Sequence, residues 1–449
     1  GLCISQVARR LALDAWGGHI PSSGHDRRLV GPPRIARVAR SAGDAARRQT
    51  TLFTAYAMIQ LLRLRHAKSK MRWGRLRSRC PRAVSSWPGS ETKSRCYAKD
   101  MAQTTVAVVA DLESQHGTLV TNLMSKADAA VVEYVAGNSI RDFVGKGAIL
   151  AKVECIALAV FAGGKPEVIA DIWSLCPQVR WVHSLAAGVD TLCPVLLSLP
   201  RISDGKIVVT NARGAFSRSL AEYSMAAMLH FNKKIPLIQA NRLERKWDKF
   251  VMPELHGLTV GFVGFGDIAK TTARLCRAFG MRIVALRRKT GIISDDEGLV
   301  DEVFPSGEDE QKRASFYSQA DYVVCTLPGT PQTEKFVDAS AFAAMKDTAV
   351  FISIGRGVVV DEDALADSLQ KGGIAGAALD VFAIEPLPED SPLWACENIL
   401  ITAHNADFTV TYLQDTWALF QRRLNEFRNF QGSTSPWPER DLVDLKAGY

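Results

Sequence analysis

Arg356, Glu385 and His404 combine side-chain types and spacing that could do chemistry on a small organic acid. Arg356 stands just after the apolar run AVFISI, residues 349–354. A guanidinium there could hold a carboxylate in a two-point grip and draw electron density from an adjacent carbonyl. Glu385 follows the run AALDVF, residues 377–382, and His404 follows NILITA, residues 398–403. Imidazole is the side chain best suited to give or take a proton near neutrality. Singly, each residue has a plain reading as a helix-start or surface arginine, a loop carboxylate, or a structural histidine. Jointly they fall after three successive apolar runs, which places all three on the carboxyl edge of a parallel sheet, where open sheets bind ligands.

The elements that must position them are strands and helices in alternation. From residue 258 onward the runs LTVGFV, RIVAL, DYVVCTL, AVFISI, AALDVF and NILITA are separated by helical patterns, including 268–279 and 361–371. Runs that are apolar throughout are strands buried on both faces, which predicts a parallel sheet covered by helices. Upstream, TTVAVVADL at 104–112 opens a second α/β region that reaches a strand at 207–209, and Asn211 and Gly214 lead into a helix at 220–231. After His404 the remaining chain is mostly one helical segment, 409–430, able to return to the first region.

Gly264, Gly266 and Ala269 form a GxGxxA turn between the strand at 258–263 and a helix whose Ile268, Thr272, Leu275 and Phe279 share one face. Gly264 permits a tight turn, and Gly266 lets the backbone approach a pyrophosphate. A small third residue lets helix and strand pack closely, and free N–H groups at the helix start face the anion. The alternative is a glycine turn with no cofactor; its place inside the strand and helix array favours a dinucleotide. The next strand ends in Arg287, Arg288 and Lys289, where an NAD-binding protein would carry a carboxylate for the ribose hydroxyls. Guanidinium groups suit the extra phosphate of NADP, so NADPH is the expected cofactor and NAD remains possible; the alternative is a solvated basic loop.

With 47% hydrophobic and 23% charged residues, the chain can bury two substantial cores. Its formal net charge of +8 is uneven: residues 1–100 carry 21 Lys and Arg against 5 Asp and Glu, so the rest is acidic. An acidic body gives no support for a nucleic-acid surface on the globular part. The basic stretch 1–100 is expected to be disordered, and three readings of it stay open. It could be a transit segment to a chloroplast or mitochondrion, a nucleic-acid arm, or upstream sequence preceding a start at Met101 with a cytoplasmic product. Nine cysteines without a CxxC pair, among them Cys155, Cys276 and Cys325 in apolar runs, predict a reducing compartment and no metal site. No apolar run is long enough to span a bilayer.

These motifs taken together resemble the D-isomer specific 2-hydroxyacid dehydrogenase family, which includes phosphoglycerate dehydrogenases and glyoxylate/hydroxypyruvate reductases. The similarity spans about residues 104–430. It is carried by the glycine turn, LPGTPQT at 327–333, the GRG and VD block around Arg356, the DVF and EP block around Glu385, and His404. The intervals of 29 residues from Arg356 to Glu385 and 19 from Glu385 to His404 suit that family.

The resemblance implies an α/β fold of two domains, a Rossmann doubly wound parallel sheet and a flavodoxin-like substrate domain made of discontinuous segments. The expected division is 101–210 substrate domain, 211–403 cofactor domain and 404–449 returning to the substrate domain. It implies that His404 delivers a proton to the carbonyl oxygen, oriented by Glu385, while Arg356 and the backbone of Ala187 and Gly188 in SLAAGVD bind the substrate carboxylate. Cofactor contacts are implied for Gly264, Gly266, Asp267, Ile268, Arg287, Arg288, Leu327, Pro328, Thr333, Ile354, Gly355, Arg356, Asp380 and His404. Asp380 is given the nicotinamide amide.

The implied activity is hydride transfer between NADPH and a small 2-oxo acid, glyoxylate or hydroxypyruvate being favoured, by a homodimer. Ser353, Asn405 and Arg287 depart from common members. The absence of a following regulatory domain disfavours a serine-regulated phosphoglycerate dehydrogenase, and the Glu385 and His404 pairing disfavours a formate dehydrogenase. The rival reading is a cofactor-sensing corepressor on the same fold.

Overall fold

The computed structural model describes residues 103–449 except 203–204, 289–290, 292–295, 297, 308, 431–436 and 439–440. The expectations for residues 1–100 and for Lys289 lie outside the described residues.

Two parallel sheets organise the chain. The first holds β1 (Thr104–Val109), β2 (Val132–Gly137), β3 (Val153–Leu158), β4 (Trp181–Ser184) and β5 (Val208–Thr210), in the order β2-β1-β3-β4-β5. That is the flavodoxin-like winding. The second holds β6 (Thr259–Val263), β7 (Arg282–Arg287), β8 (Glu302–Pro305), β9 (Tyr322–Cys325), β10 (Val350–Ser353), β11 (Gly376–Leu379) and β12 (Ile399–Ile401). Its order, β12-β11-β10-β9-β6-β7-β8, reverses between β6 and β9, the topological switch point where dinucleotides bind in such sheets. The central strands β6, β9, β10 and β11 are buried at every position, which is why they read as unbroken apolar runs.

β8 and the helix Glu310–Gln319 were not marked by periodicity. β8 is an edge strand whose residues are mostly half-buried, and the helix buries only Phe316 and Tyr317. The helix after the glycine turn spans Asp267–Ala278, and its buried face differs from the expected one. Ala269, Thr272, Ala273 and Cys276 face inward, while Leu275 and Phe279 are exposed. The cause is close packing against the helix Ser217–Asn232, where Cys276 Sγ lies 3.7 Å from Met225 Sδ. Small side chains allow that approach and large ones would hold the helices apart.

The helix Tyr412–Asn429 does pack on the first sheet. Phe420 stacks on Trp181 and His183, and Phe427 meets Trp181, with ring centroids 5.3–5.5 Å apart. Aromatic contacts of this kind are worth roughly 0.5–1.5 kcal/mol beyond the area they bury. Val443 N–H then donates to Val209 O of β5 at 2.8 Å. The six cysteines among the described residues, Cys155, Cys276 and Cys325 included, are free and buried. No helix of the described residues is long and apolar enough to cross a membrane.

Candidate active site

The candidate residues of the second sheet lie at the carboxyl ends of its strands or in the loops that follow them. Gly264 follows β6 at φ 84°, a left-handed conformation that costs glycine nothing. Its N–H donates to Leu286 O at 2.9 Å, tying the turn to β7. An added Cβ at Gly264 would lie 2.9 Å from Leu327, whereas one at Gly266 would meet nothing within 4 Å, so open space lies over the second glycine. Gly266 caps the helix, whose first-turn N–H groups have no partner within the helix. Asp267 is held from the opposite side by the Ser217 hydroxyl, and Ile268 is half-buried behind the turn. A phosphate-sized group approaching backbone N–H donors is what this turn accommodates. These residues fit a dinucleotide.

At the end of β7 the side chains are already engaged. Arg287 pairs with the fully buried Asp296 carboxylate, which Lys270 reaches from its other oxygen at 2.9 Å. Burial pushes the Asp296 carboxyl up, but the hydrogen bonds and charges of Lys270 and Arg287 outweigh it and hold the group below its usual range. Arg288 donates to the Tyr449 hydroxyl, its guanidinium 5.4 Å from the ring centroid. The sequence reading missed Asp296, since it lies nine residues beyond Arg287 in a segment with no periodic signal. Leu327 and Pro328 line the loop after β9. Thr333 closes that loop, donating to Pro328 O at 2.6 Å and accepting from Thr330 N–H at 2.9 Å.

Around His404 the geometry is tight. His404 Nδ1 lies 2.8 Å from Glu385 Oε2, and Glu385 Oε1 accepts from Phe382 N–H at 3.0 Å. The carboxylate is thereby fixed at both oxygens and the imidazole is fixed through one nitrogen. With Nδ1–H donated to the carboxylate, Nε2 is the nitrogen left to exchange a proton with a ligand. The loop under Glu385 is braced by Glu362, which accepts from Ala383 N–H at 2.7 Å.

Arg356, three residues beyond β10, donates from Nη1 to Gly355 O at 2.9 Å and from Nε to Asp190 Oδ2 at 3.1 Å. Asp190 ends the SLAAGVD loop of the first sheet, so the two sheets contribute facing halves of one cleft. A Cβ at Gly188 would fall 1.7 Å from Arg356 Nη2, which shows how closely the guanidinium lies over that loop. Asn211 fixes the loop from beneath by donating to Ala187 O at 2.7 Å. Gly355 and Ile354 are buried beside Leu327; a Cβ at Gly355 would meet Leu327 O at 2.4 Å.

Asp380 is 1% exposed, and its oxygens accept from Thr402 Oγ1 and from the N–H groups of Asn405 and Ala406. Asp407, which the motif reading passed over, lies close enough to His404 and Arg356 for their charges to act on it. Burial pushes its carboxyl up, and the Asp380 charge adds to that, against the opposing pull of His404 and Arg356.

A sequence profile of "D-isomer specific 2-hydroxyacid dehydrogenase, NAD binding domain" matches residues 225–406. A glyoxylate reductase of Aeropyrum pernix is 32% identical over 257 residues, covering 54% of this chain and 71% of that protein. A D-3-phosphoglycerate dehydrogenase of Methanocaldococcus jannaschii is 29% identical over 296 residues, 65% of this chain, and the chain spans only about half of it, 53%. Among solved structures, an NADPH-dependent glyoxylate/hydroxypyruvate reductase of Sinorhizobium meliloti in complex with NADP and sulfate superposes with a TM-score of 0.60. The match covers 78% of this chain and 100% of that one at 23% identity, a likeness of fold. With the glycine turn, the oriented imidazole and a 32% identical relative matched over more than two thirds of its length, the chain belongs to the D-isomer specific 2-hydroxyacid dehydrogenase family.

Proposed function

We propose that this member of the family reduces a small 2-oxo acid to the 2-hydroxy acid, with NADPH as the preferred cofactor and glyoxylate or hydroxypyruvate as the favoured substrates. One observation carries the reading: His404 Nδ1 sits 2.8 Å from a carboxylate that is itself held, on the same sheet edge as Arg356, which reaches across to Asp190 of the SLAAGVD loop. NADPH, when bound, supplies the hydride. Gly264, Gly266, Asp267, Ile268, Leu327, Pro328, Thr333, Ile354 and Gly355 would hold it, and Asp380 would sit behind the nicotinamide. Arg356 would grip the substrate carboxylate together with backbone at Ala187 and Gly188. His404 would protonate the carbonyl oxygen from Nε2 while Glu385 keeps the ring in place. Glyoxylate and hydroxypyruvate reductases among the relatives support the substrate class.

The preference for NADPH rests on charge. Arg288 donates to the Tyr449 hydroxyl, and the carboxylate that Lys270 and Arg287 both engage, Asp296, is fully buried. It is not placed to accept ribose hydroxyls, while the surplus of positive charge favours a phosphate. Comparing kcat/KM for NADPH and NADH across glyoxylate, hydroxypyruvate, pyruvate and bulkier 2-oxo acids tests both parts. Turnover of none of these acids contradicts the activity, and a preference for NADH contradicts the cofactor.

The homodimer is proposed on the stretch after the helix Ser217–Asn232. Leu243, Trp247 and Val251 are 72%, 98% and 85% exposed, close together in the chain and unpaired with the core. Large apolar side chains left this exposed within one short stretch suit an association surface, and a second copy is the partner proposed. Light scattering of the W247E/V251E double variant is expected to show a monomer where the parent chain is a dimer. A parent chain of monomer mass contradicts the proposal.

A further inference from the structure

The loop that carries His404 is built around Asp380, and a chain of hydroxyls leads away from it. His404 adopts φ 51°, an uncommon conformation for a residue with a Cβ, which must be held in place by its surroundings. Asp380 does the holding. Its carbonyl accepts from His404 N–H at 2.9 Å, and its carboxylate from Asn405 N–H at 3.1 Å and from Ala406 N–H at 3.1 and 3.2 Å. The carboxylate also meets Thr402 Oγ1 at 2.6 Å, and Thr402 Oγ1 lies 2.9 Å from Tyr223 Oη.

The proton order in this chain follows from donor inventory. A hydroxyl has one proton to give, so when Thr402 gives it to the Asp380 carboxylate, the closer partner, the Tyr223 phenol is the donor that completes the chain. Burial, with the Asp380 charge adding to it, pushes the Tyr223 phenol up to about 12 despite the opposing Thr402 bond, so the phenol keeps its proton. Tyr223 belongs to the helix Ser217–Asn232, whose first residue holds Asp267 of the glycine turn. One rigid helix therefore touches both the turn that would receive the cofactor and the support of the proton-donor loop.

We propose that Tyr223 is a positioning residue for His404, acting through Thr402 and Asp380 to set the imidazole relative to the glycine turn. The inference rests on the reading of His404 as the proton donor, and neither Tyr223 nor Thr402 is assigned any contact with substrate. A hydroxyl chain that only filled space would tolerate its loss; one that sets the ring would not.

Tyr223→Phe removes the terminal donor and little else. Its kcat is expected to fall roughly tenfold or more, with the KM for NADPH unchanged, because a misplaced acid costs rate and not cofactor binding. Thr402→Val, matched in shape, should reproduce that loss, and Thr402→Ser, which keeps the hydroxyl, should restore most of the rate. Independently of turnover, the His404 ring resonances in the substrate-free protein should shift in Y223F and T402V and stay near the parent positions in T402S. Because the resonances are read without substrate, they judge the relay even if no 2-oxo acid proves to be turned over. Unmoved His404 resonances in Y223F, or equal damage in T402S and T402V, would overturn the proposal.

Discussion

At the residue scale, one imidazole has its orientation fixed by one carboxylate, and that carboxylate has its own second anchor at Phe382 N–H. This doubly held pair distinguishes His404 from a solvent-facing histidine, and no spacing rule could have supplied the second anchor. Asp407 introduces a further charge. Its carboxyl is shifted upward, chiefly by burial, and it acts on the guanidinium that would grip the substrate. Below its titration the group is neutral; above it, a negative charge stands near Arg356 and opposes an incoming carboxylate. The KM for the 2-oxo acid is therefore expected to rise as pH rises through that titration. Asp407→Asn should flatten the rise; a KM profile identical in parent and variant would dismiss Asp407 from substrate binding.

At the scale of elements, the site depends on loops leaving strand ends at separations that only backbone can set. Gly188 illustrates it: the position a Cβ would take lies 1.7 Å from Arg356 Nη2, so Gly188→Ala should push the guanidinium aside without disturbing the fold. The expected result is a KM for the 2-oxo acid raised about tenfold or more at unchanged thermal stability, as for a lost charge-assisted contact. An unchanged KM would place substrate away from this loop. The strands that carry the chemistry were legible as apolar runs because β6, β9, β10 and β11 are buried on both faces. Edge strand β8 was not, since half-buried residues carry no clear pattern. The buried face after the glycine turn was misjudged because large apolar residues advertise a core, whereas here close helix packing selected Ala269, Ala273 and Cys276. Asp190, Asp296 and Tyr223 were missed for a shared reason: each acts on a partner far away in sequence or in an aperiodic segment, and only folding brings them together.

At the scale of the whole molecule, the returning helix Tyr412–Asn429 seals the first sheet over Trp181 and His183. Trp181 Nε1 donates to Thr210 Oγ1, which also lies 2.7 Å from Nδ1 of the buried His183. Burial, with the Arg423 charge adding to it, pushes His183 down to about 3. The unfolded chain would take up a proton near pH ~6.5 and the folded one only far below, so stability is full above that value. It should decline as pH falls toward about 3, by at most about 1.4 kcal/mol per pH unit from this group. Thermal unfolding of a His183→Phe variant should lose this part of the acid sensitivity; equal acid sensitivity in parent and variant would remove His183 as its source. The proposed activity requires that hydride pass from the nicotinamide to the carbon beside a carboxylate while His404 supplies the proton. The direct test is mass spectrometry of the product formed from a 2-oxo acid and NADPH carrying deuterium at the transferable position of its nicotinamide. One deuterium on the former carbonyl carbon is expected, at a rate that His404→Gln lowers by ~10²- to 10⁴-fold; an unlabelled product, or an undiminished rate in the variant, would contradict it.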